Sequence, residues 1–257
     1  MRGLISAVRT LTIIPLPGKE GQDLSAALTW FPIVGLFLGF VLYLVGRLWL
    51  LFPSNPWLGG GALLILFIQT WLTRGLHLDG LADWADSIGG FDKERRLAIM
   101  KDVSLGAFGV VALILVMMAK WLCLERLLEA GSLSWVMAIM AISRTMLVEL
   151  QVILPYARKE GQGMAGPFLR NASGRHRVVS HMLTVAICLA FGPFGLGLLV
   201  FAWLMTRLYG ARMRGQFGGI TGDLLGAANE LIETCLLVIC ALPGNSVASY
   251  IGWAWLG

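Results

Sequence analysis

The chain is dominated by long, unbroken apolar runs separated by short polar and basic segments. The runs are continuous rather than alternating and too long for strands, so the pattern predicts helices. Several runs approach the about 20 residues that a helix needs to cross a bilayer. Seven stretches are predicted, at about 28–50, 58–76, 106–124, 133–154, two within 178–209, and about 224–242. Because lipid cannot satisfy unpaired backbone groups, the predicted fold is an all-α, polytopic membrane bundle of about seven helices in a single domain, residues 1–257.

Residues 178–209 are short for two spans, but a turn signal, Gly-Pro-Phe-Gly at 192–195, stands in their middle. Both ends of this stretch are basic. A helical hairpin keeps both basic ends on one side of the membrane, whereas a single long helix, the alternative, separates them. We therefore expect a hairpin.

The segment before the first span has apolar residues at helical spacing, among them Leu4, Ile5 and Val8. Pro15 and Pro17 follow, and proline cannot continue a helix interior. We expect a short N-terminal helix that lies at the membrane interface.

The composition agrees with a membrane protein: 57% of the 257 residues are hydrophobic and 14% are charged. Soluble domains average about 45–50% apolar and about 25% charged residues. The net charge of +5 is better explained by cationic loops beside anionic lipids than by nucleic acid. The four cysteines lie in apolar runs without a ligand-like spacing, so neither zinc nor disulfides are expected.

Basic residues are concentrated in alternate loops, at about 2–19, 74–101, 158–177 and 207–214. The other loops are expected to hold only Arg47, Lys120 and Arg126 near their edges. By the positive-inside rule, this asymmetry predicts a cytoplasmic N-terminus and a multi-pass protein of the inner membrane.

Three aspartates follow the second span at i, i+4 and i+7: Asp79, Asp83 and Asp86. On a helix they share one face, where like charges repel each other. A divalent cation removes this conflict, and Mg²⁺ prefers carboxylates supplemented by substrate phosphates. The alternative is a solvated acidic turn. The spacing leaves open whether His77 is a ligand, a base or an interfacial residue.

A glycine-rich segment precedes the last span, and Gly218 and Gly219 allow close backbone approach there. Thr221 or Asp223 can cap the helix that follows, whose free N–H groups favour an anion. Glu230 lies seven residues after Asp223, on the same helix face. A carboxylate at that depth in a membrane is expected either to pair with another group or to have a functional role. Glu233 is deeper and is expected to point elsewhere.

Arg144 lies in the middle of the fourth span and should face the bundle interior. It forms either an internal bridge to a carboxylate or a phosphate clamp, and the sequence does not separate the two. Arg158 and Lys101 are further candidates for phosphate contacts. Asp102 either caps the next helix or contacts substrate.

These groups are expected to meet at the cytoplasmic face, where carboxylates, a cation and basic groups suit phosphoryl transfer from a diphosphate. Four patches then resemble a known family, the cobalamin (5′-phosphate) synthases, also called adenosylcobinamide-GDP ribazoletransferases. The patches are FPIVG at 31–35, GLHLDGLAD at 75–83 with Asp86, MKD at 100–102, and GGITGDLLGA at 218–227 with Glu230. Trp84, Ser87 and the string at 103–105 depart from the usual pattern.

The resemblance implies a Mg²⁺-dependent membrane enzyme that joins adenosylcobinamide-GDP to α-ribazole or its 5′-phosphate and releases GMP. It implies that Asp79 and Asp83 bind the metal and that Asp86 is a third ligand or the general base. Asp223 would complete the metal site or orient the nucleophile. The remaining implied site residues are His77 and Arg144 as catalytic groups, and Lys101, Asp102, Arg158, Gly218, Gly219, Thr221 and Glu230 as substrate contacts.

Two other functions are weighed against this one. A phosphotransferase acting on CDP-alcohols shares the Asp-Gly-x-x-Ala spacing, but its further aspartates are missing after Gly90. A secondary transporter would use Arg144 and Glu230 in an ion path, but the chain lacks inverted repeats. Membrane lipids are expected partners, nucleic acid is not, and association with a second copy of the chain stays open.

Overall fold

The computed structural model describes residues 2–52, 56–158 and 163–252. Eleven α-helices occur in these ranges, with no β-strand. They are α1 (Arg2–Leu11), α2 (Phe31–Trp49), α3 (Leu58–Leu72), α4 (Leu76–Ser87), α5 (Lys93–Ile99), α6 (Ala107–Glu129), α7 (Trp135–Ile153), α8 (Gly166–Leu169), α9 (Gly174–Phe191), α10 (Pro193–Phe217) and α11 (Gly222–Ala241). A 3₁₀ helix precedes α2 (Leu24–Trp30), and another follows α11 (Gly244–Tyr250). The predicted all-α fold is confirmed.

Within the described ranges, five helices are long and apolar enough to cross a membrane: Leu24–Trp49, α6, α7, α10 and α11. The pair α3 and α4 passes the same criteria only when joined, and it is bent by 89°. The total of five or six is below the seven predicted. The bend occurs because Arg74 and Gly75 both adopt left-handed backbone, at φ 55° and 63°. The fifth predicted stretch, α9, is helical but is not among these spans, and Arg175, His176 and Arg177 occupy its first turn.

The predicted hairpin between α9 and α10 is present. The chain reverses at Gly192, whose φ of +89° favours glycine. Arg177 in the first turn of α9 and Arg207 far along α10 both approach Glu149 of α7, at 3.8 and 3.4 Å. The two helices therefore run in opposite directions.

Helix α7 is the centre of the bundle, because nearly all of its side chains are buried. Gly35 and Gly39 of α2 face it. A Cβ atom on Gly35 would lie 2.3 Å from the Met140 carbonyl oxygen, and one on Gly39 would lie 2.6 Å from the Met137 Cα. Glycine at these positions lets the two helices pack with their backbones in contact.

The N-terminal helix α1 is present as predicted, and it contacts the bend between α3 and α4. Arg74 donates a hydrogen bond to the Arg9 carbonyl at 2.9 Å, and the Ile13 N–H donates to the Leu72 carbonyl at 2.7 Å. Its place at a membrane interface stays a prediction.

One basic residue lies elsewhere than expected. Lys120 was predicted near the edge of an outer loop, but it lies inside α6 with 1% of its surface exposed. The apolar run predicted to end near residue 124 continues as helix to Glu129. Lys120 therefore lies well inside the helix and faces the bundle interior.

Candidate active site

Helix α4 packs directly against the first turns of α11, and two glycines make this contact possible. A Cβ atom on Gly80 would lie 2.6 Å from the Asp223 carbonyl oxygen, and one on Gly226 would lie 3.0 Å from the His77 carbonyl oxygen. The contact brings the aspartates of α4 beside Asp223, although residues 88–221 separate the two helices in sequence. The predicted convergence of these two stretches is confirmed.

The carboxylates at this contact form an open, negatively charged group. Asp79 is exposed, and Asp83 and Asp223 are partly buried. The carboxylates of Asp79 and Asp223 are close enough to Asp83 to repel its negative charge, and Arg158 partly offsets this repulsion. Unlike a buried ion pair, the group carries more negative than positive charge.

This set of residues fits a magnesium ion that is held by the protein and the substrate together. No three His, Cys, Asp or Glu side chains in the described ranges stand close enough to form a complete metal site by themselves. Mg²⁺ is commonly held by one or two carboxylates together with substrate phosphates and water. Mutually repelling carboxylates on an accessible surface suit that arrangement, in which substrate completes the coordination.

Asp223 is paired with Arg158, at 2.5 Å from its Oδ2 to Nη2 of the arginine. The loop after α7 holds Arg158 there, because the Ala157 N–H donates to the Ile220 carbonyl and the Ile220 N–H donates to the Pro155 carbonyl, both at 2.9 Å. This short parallel bridge joins the arginine-bearing loop to the glycine-rich segment before α11.

The glycine-rich segment has structural tasks. A Cβ atom on Gly219 would lie 2.1 Å from the Pro155 carbonyl oxygen, so Gly219 allows close approach of the neighbouring loop. Gly218 ends α10 in left-handed conformation, at φ +74°. Thr221 caps α11, since its side chain accepts a hydrogen bond from the Leu224 N–H at 3.2 Å. Their substrate contacts stay predictions.

Asp86 anchors the start of α6. Its Oδ2 accepts from the Gly106 N–H and its Oδ1 accepts from the Gly109 N–H, both at 2.8 Å. A carboxylate at a helix N-terminus is also favoured by the helix dipole. Both oxygens are therefore engaged, and the roles of third ligand or general base stay predictions.

Asp102 does not cap α6, because Asp86 occupies that position. Instead it is exposed, and its Oδ1 accepts from the Ser104 N–H at 3.0 Å. This hydrogen bond holds the pKa of Asp102 below its usual range. Lys101 is also exposed. The segment from Asp102 to Phe108 borders a cavity of about 390 Å³ beside Asp86.

A second cavity, of about 240 Å³, lies beside the Arg158 loop and is lined by Pro155, Tyr156, Pro167 and Arg170 among others. Burial raises the pKa of the Tyr156 phenol, which keeps this side chain neutral. The described part of the site thus combines two carboxylate-bearing helices with a rim of basic and apolar groups.

Arg144 and Glu230 belong to a separate, fully buried charge network. Lys120 Nζ lies 2.6 Å from Glu230 Oε2 and 2.6 Å from Glu233 Oε1. Arg144 pairs with the other oxygen of Glu233 and donates to Ser143 Oγ at 2.8 Å. Of the two alternatives for Arg144, the structure contains the internal bridge.

His77 is also buried, and it lies within the electrostatic influence of Arg144, Glu233 and Lys120. The implied catalytic roles of His77 and Arg144 stay predictions, but both side chains lie in the bundle interior. The expectation that Glu233 points elsewhere is wrong, because Glu233 joins both cations of the network. Lys120 was missed, although a lysine in the middle of a long apolar helix is a recognised signal of an interior partner.

The fold and this site define a class: a polytopic α-helical membrane protein with a carboxylate-rich site beside basic loops. The chain belongs to the cobalamin-5-phosphate synthase family, whose model matches residues 3–241.

Relatives cover nearly the whole chain. An adenosylcobinamide-GDP ribazoletransferase of Chlorobium phaeobacteroides (strain BS1) is 42% identical over 247 residues, which are 93% of this chain and 96% of the relative. Proteins of the same name from Chlorobaculum tepidum and Syntrophobacter fumaroxidans are each 39% identical, over 94% and 92% of this chain and 96% of each relative. No solved structure matches the chain. The family match favours the first of the three functions considered above.

Proposed function

We propose that this chain transfers the adenosylcobinamide-phosphate group of adenosylcobinamide-GDP to α-ribazole or its 5′-phosphate and releases GMP. The family membership and the names of the relatives support the reaction. The observation that carries the proposal is the packing of α4 on α11, which collects Asp79, Asp83 and Asp223 beside Arg158. Negative groups that bind a cation and a positive group that binds phosphate thus stand side by side.

In the proposed reaction, a ribose hydroxyl oxygen bonds to the phosphorus nearest the cobinamide arm. The bond from this phosphorus to the bridging oxygen breaks, and that oxygen leaves with GMP. Asp79 and Asp83 would hold Mg²⁺, which neutralises charge on the diphosphate when bound. Arg158 and Lys101 hold phosphate oxygens.

We assign the hydroxyl proton to Asp223 rather than Asp86. Both oxygens of Asp86 already accept backbone hydrogen bonds from the start of α6, so neither oxygen is free to contact the nucleophile. Asp223 is held by Arg158 at one oxygen, so the pair can orient the nucleophile as well as receive its proton.

The proposal is tested by GMP release from membranes that contain the full chain. Adenosylcobinamide-GDP is supplied with α-ribazole or with its 5′-phosphate, with Mg²⁺ or with a chelator, and a parallel reaction contains labelled CDP-diacylglycerol. We expect GMP release only with the cobinamide substrate, an acceptor and Mg²⁺. Turnover of CDP-diacylglycerol in its place would identify the lipid enzyme, and release of GMP in the chelator would reject the metal assignment.

We also propose that the site faces the cytoplasm across the inner membrane, since basic residues are concentrated at the ends of the helices that bear it. Two single replacements test this: Phe91→Cys near the site and Trp57→Cys at the start of α3. Both side chains are largely exposed, at 98% and 69%. In intact cells, an impermeant maleimide should label the cysteine at 57 and not the one at 91. The reverse pattern would invert the topology.

A further inference from the structure

A groove lies on the surface of the bundle between α7, α9 and α10, and no residue of α4 or α11 lines it. Its volume is about 630 Å³. Polar residues form one part of its lining, and apolar side chains form the rest. The reaction proposed above uses none of these residues.

The polar part contains more positive than negative charge. Glu149, with 3% of its side chain exposed, lies 3.4 Å from Arg207 and 3.8 Å from Arg177. Both arginine side chains remain 41–47% exposed, so one buried carboxylate is shared by two accessible cations. His181 also lines the groove, with its Nε2 at 3.8 Å from Oε2 of the same carboxylate. The cluster can therefore accept an additional anionic group.

The apolar part is accessible from the side of the bundle. Met182 and Leu189 of α9 and Trp203 of α10 line it and are 67%, 43% and 41% exposed. Such exposure is typical of a surface in contact with acyl chains. Arg177 lies in the first turn of α9, whereas Leu189 lies near its end, so charged and apolar groups follow one another along the helix axis.

We propose that this groove binds one anionic phospholipid. Arg177 and Arg207 contact the phosphate of the headgroup, and an acyl chain lies along Met182 and Leu189. The excess positive charge favours an anionic over a zwitterionic headgroup. A free phosphate would leave the apolar part of the groove uncovered, which is why a lipid is the better occupant.

The test is native mass spectrometry of the detergent-solubilised full chain, titrated with phosphatidylglycerol or phosphatidylcholine. We expect a preference for phosphatidylglycerol of at least about fivefold. Replacing both groove cations, Arg177→Gln with Arg207→Gln, should weaken phosphatidylglycerol binding about tenfold. The matched control, Arg175→Gln with Arg212→Gln, makes the same change in net charge on the same helices at exposed positions and should change binding less than about twofold.

A second variant guards against misfolding, because removing both arginines leaves Glu149 buried without a cation. Glu149→Gln frees the two guanidinium groups for a headgroup and should tighten phosphatidylglycerol binding about threefold. A purely structural cluster would instead lose thermal stability without tighter lipid binding. Equal losses in the groove and control variants, or no preference between the two lipids, would overturn the proposal.

Discussion

Two groups of charged residues lie along α11 and differ in almost every respect. At its first turn, Asp223 and the aspartates of α4 form an open group with excess negative charge and a single arginine partner. Deeper in the same helix, Glu230 and Glu233 are closed in by Lys120 and Arg144, two cations for two anions. Unbalanced, accessible charge thus indicates a ligand site, whereas balanced, buried charge indicates a structural contact between helices.

The largest effect is expected at the open group. Asp83→Asn removes a carboxylate assigned to the cation, and GMP release should fall at least about a thousandfold, as when a charge-stabilising group is lost from an active site. Glu94→Gln is the control, because Glu94 is an exposed acid of the nearby α5. Similar activity in both variants would show that the open group does not take part in the reaction.

Replacing a residue of the closed group is expected to lower the thermal stability of the protein. Lys120→Met leaves two buried carboxylates with one cation, which should cost about 3–5 kcal/mol of stability. The double variant Lys120→Met with Glu230→Gln restores the charge balance and should recover part of that loss. The midpoint of thermal unfolding in detergent measures both. If the double variant is as unstable as the single one, charge balance does not explain the network.

Arg158 belongs to the open group and also forms an ion pair with Asp223. Its replacement therefore shows whether its main role is in activity or in stability. Arg158→Gln should lower GMP release about a hundredfold, since a charge-assisted contact to phosphate is lost. Thermal stability should fall by about 1–3 kcal/mol, less than in the closed group, because a largely buried carboxylate loses its partner. A large loss of stability with little loss of activity would show that Arg158 has a structural role, like the residues of the closed group.

The smallest effect is expected at the N-terminus of α6. Asp86→Asn keeps one acceptor oxygen but loses the charge, which should cost about 1 kcal/mol of stability. A modest fall in activity through displacement of α6 is consistent with an anchor. A loss of activity equal to that of Asp83→Asn would restore Asp86 as a ligand or base.

The sequence was sufficient to predict that the strings around Asp79 and Asp223 meet. Their carboxylates stand at the ends of apolar runs, and glycines at 80 and 226 permit a close crossing. Likewise, the Gly-Pro-Phe-Gly string indicated the hairpin. The first prediction depended on the basic loops, which place both strings on one side of the membrane, and the second depended on a turn signal within one segment.

The features that could not be predicted depend on partners distant in the chain. The carboxylate of Asp86 accepts hydrogen bonds from the N–H groups of Gly106 and Gly109. The sequence around Asp86 does not indicate these donors, because they lie about 20 residues further on, after an irregular segment. The bend after α3 depends on left-handed backbone at Arg74, a conformation uncommon for arginine. That Glu233 pairs with both Lys120 and Arg144 is decided by the packing of α6, α7 and α11.

The most direct measurement of the central claim is Mn²⁺ binding to the purified chain, followed by electron paramagnetic resonance, with Mn²⁺ standing in for Mg²⁺. If Asp79 and Asp83 of α4 hold the cation, Asp79→Asn and Asp83→Asn should each weaken binding at least about tenfold, as expected when one of few carboxylate ligands is lost. Glu94→Gln should bind like the unaltered chain. Unchanged Mn²⁺ binding in both aspartate variants would show that the carboxylates of α4 do not hold the metal.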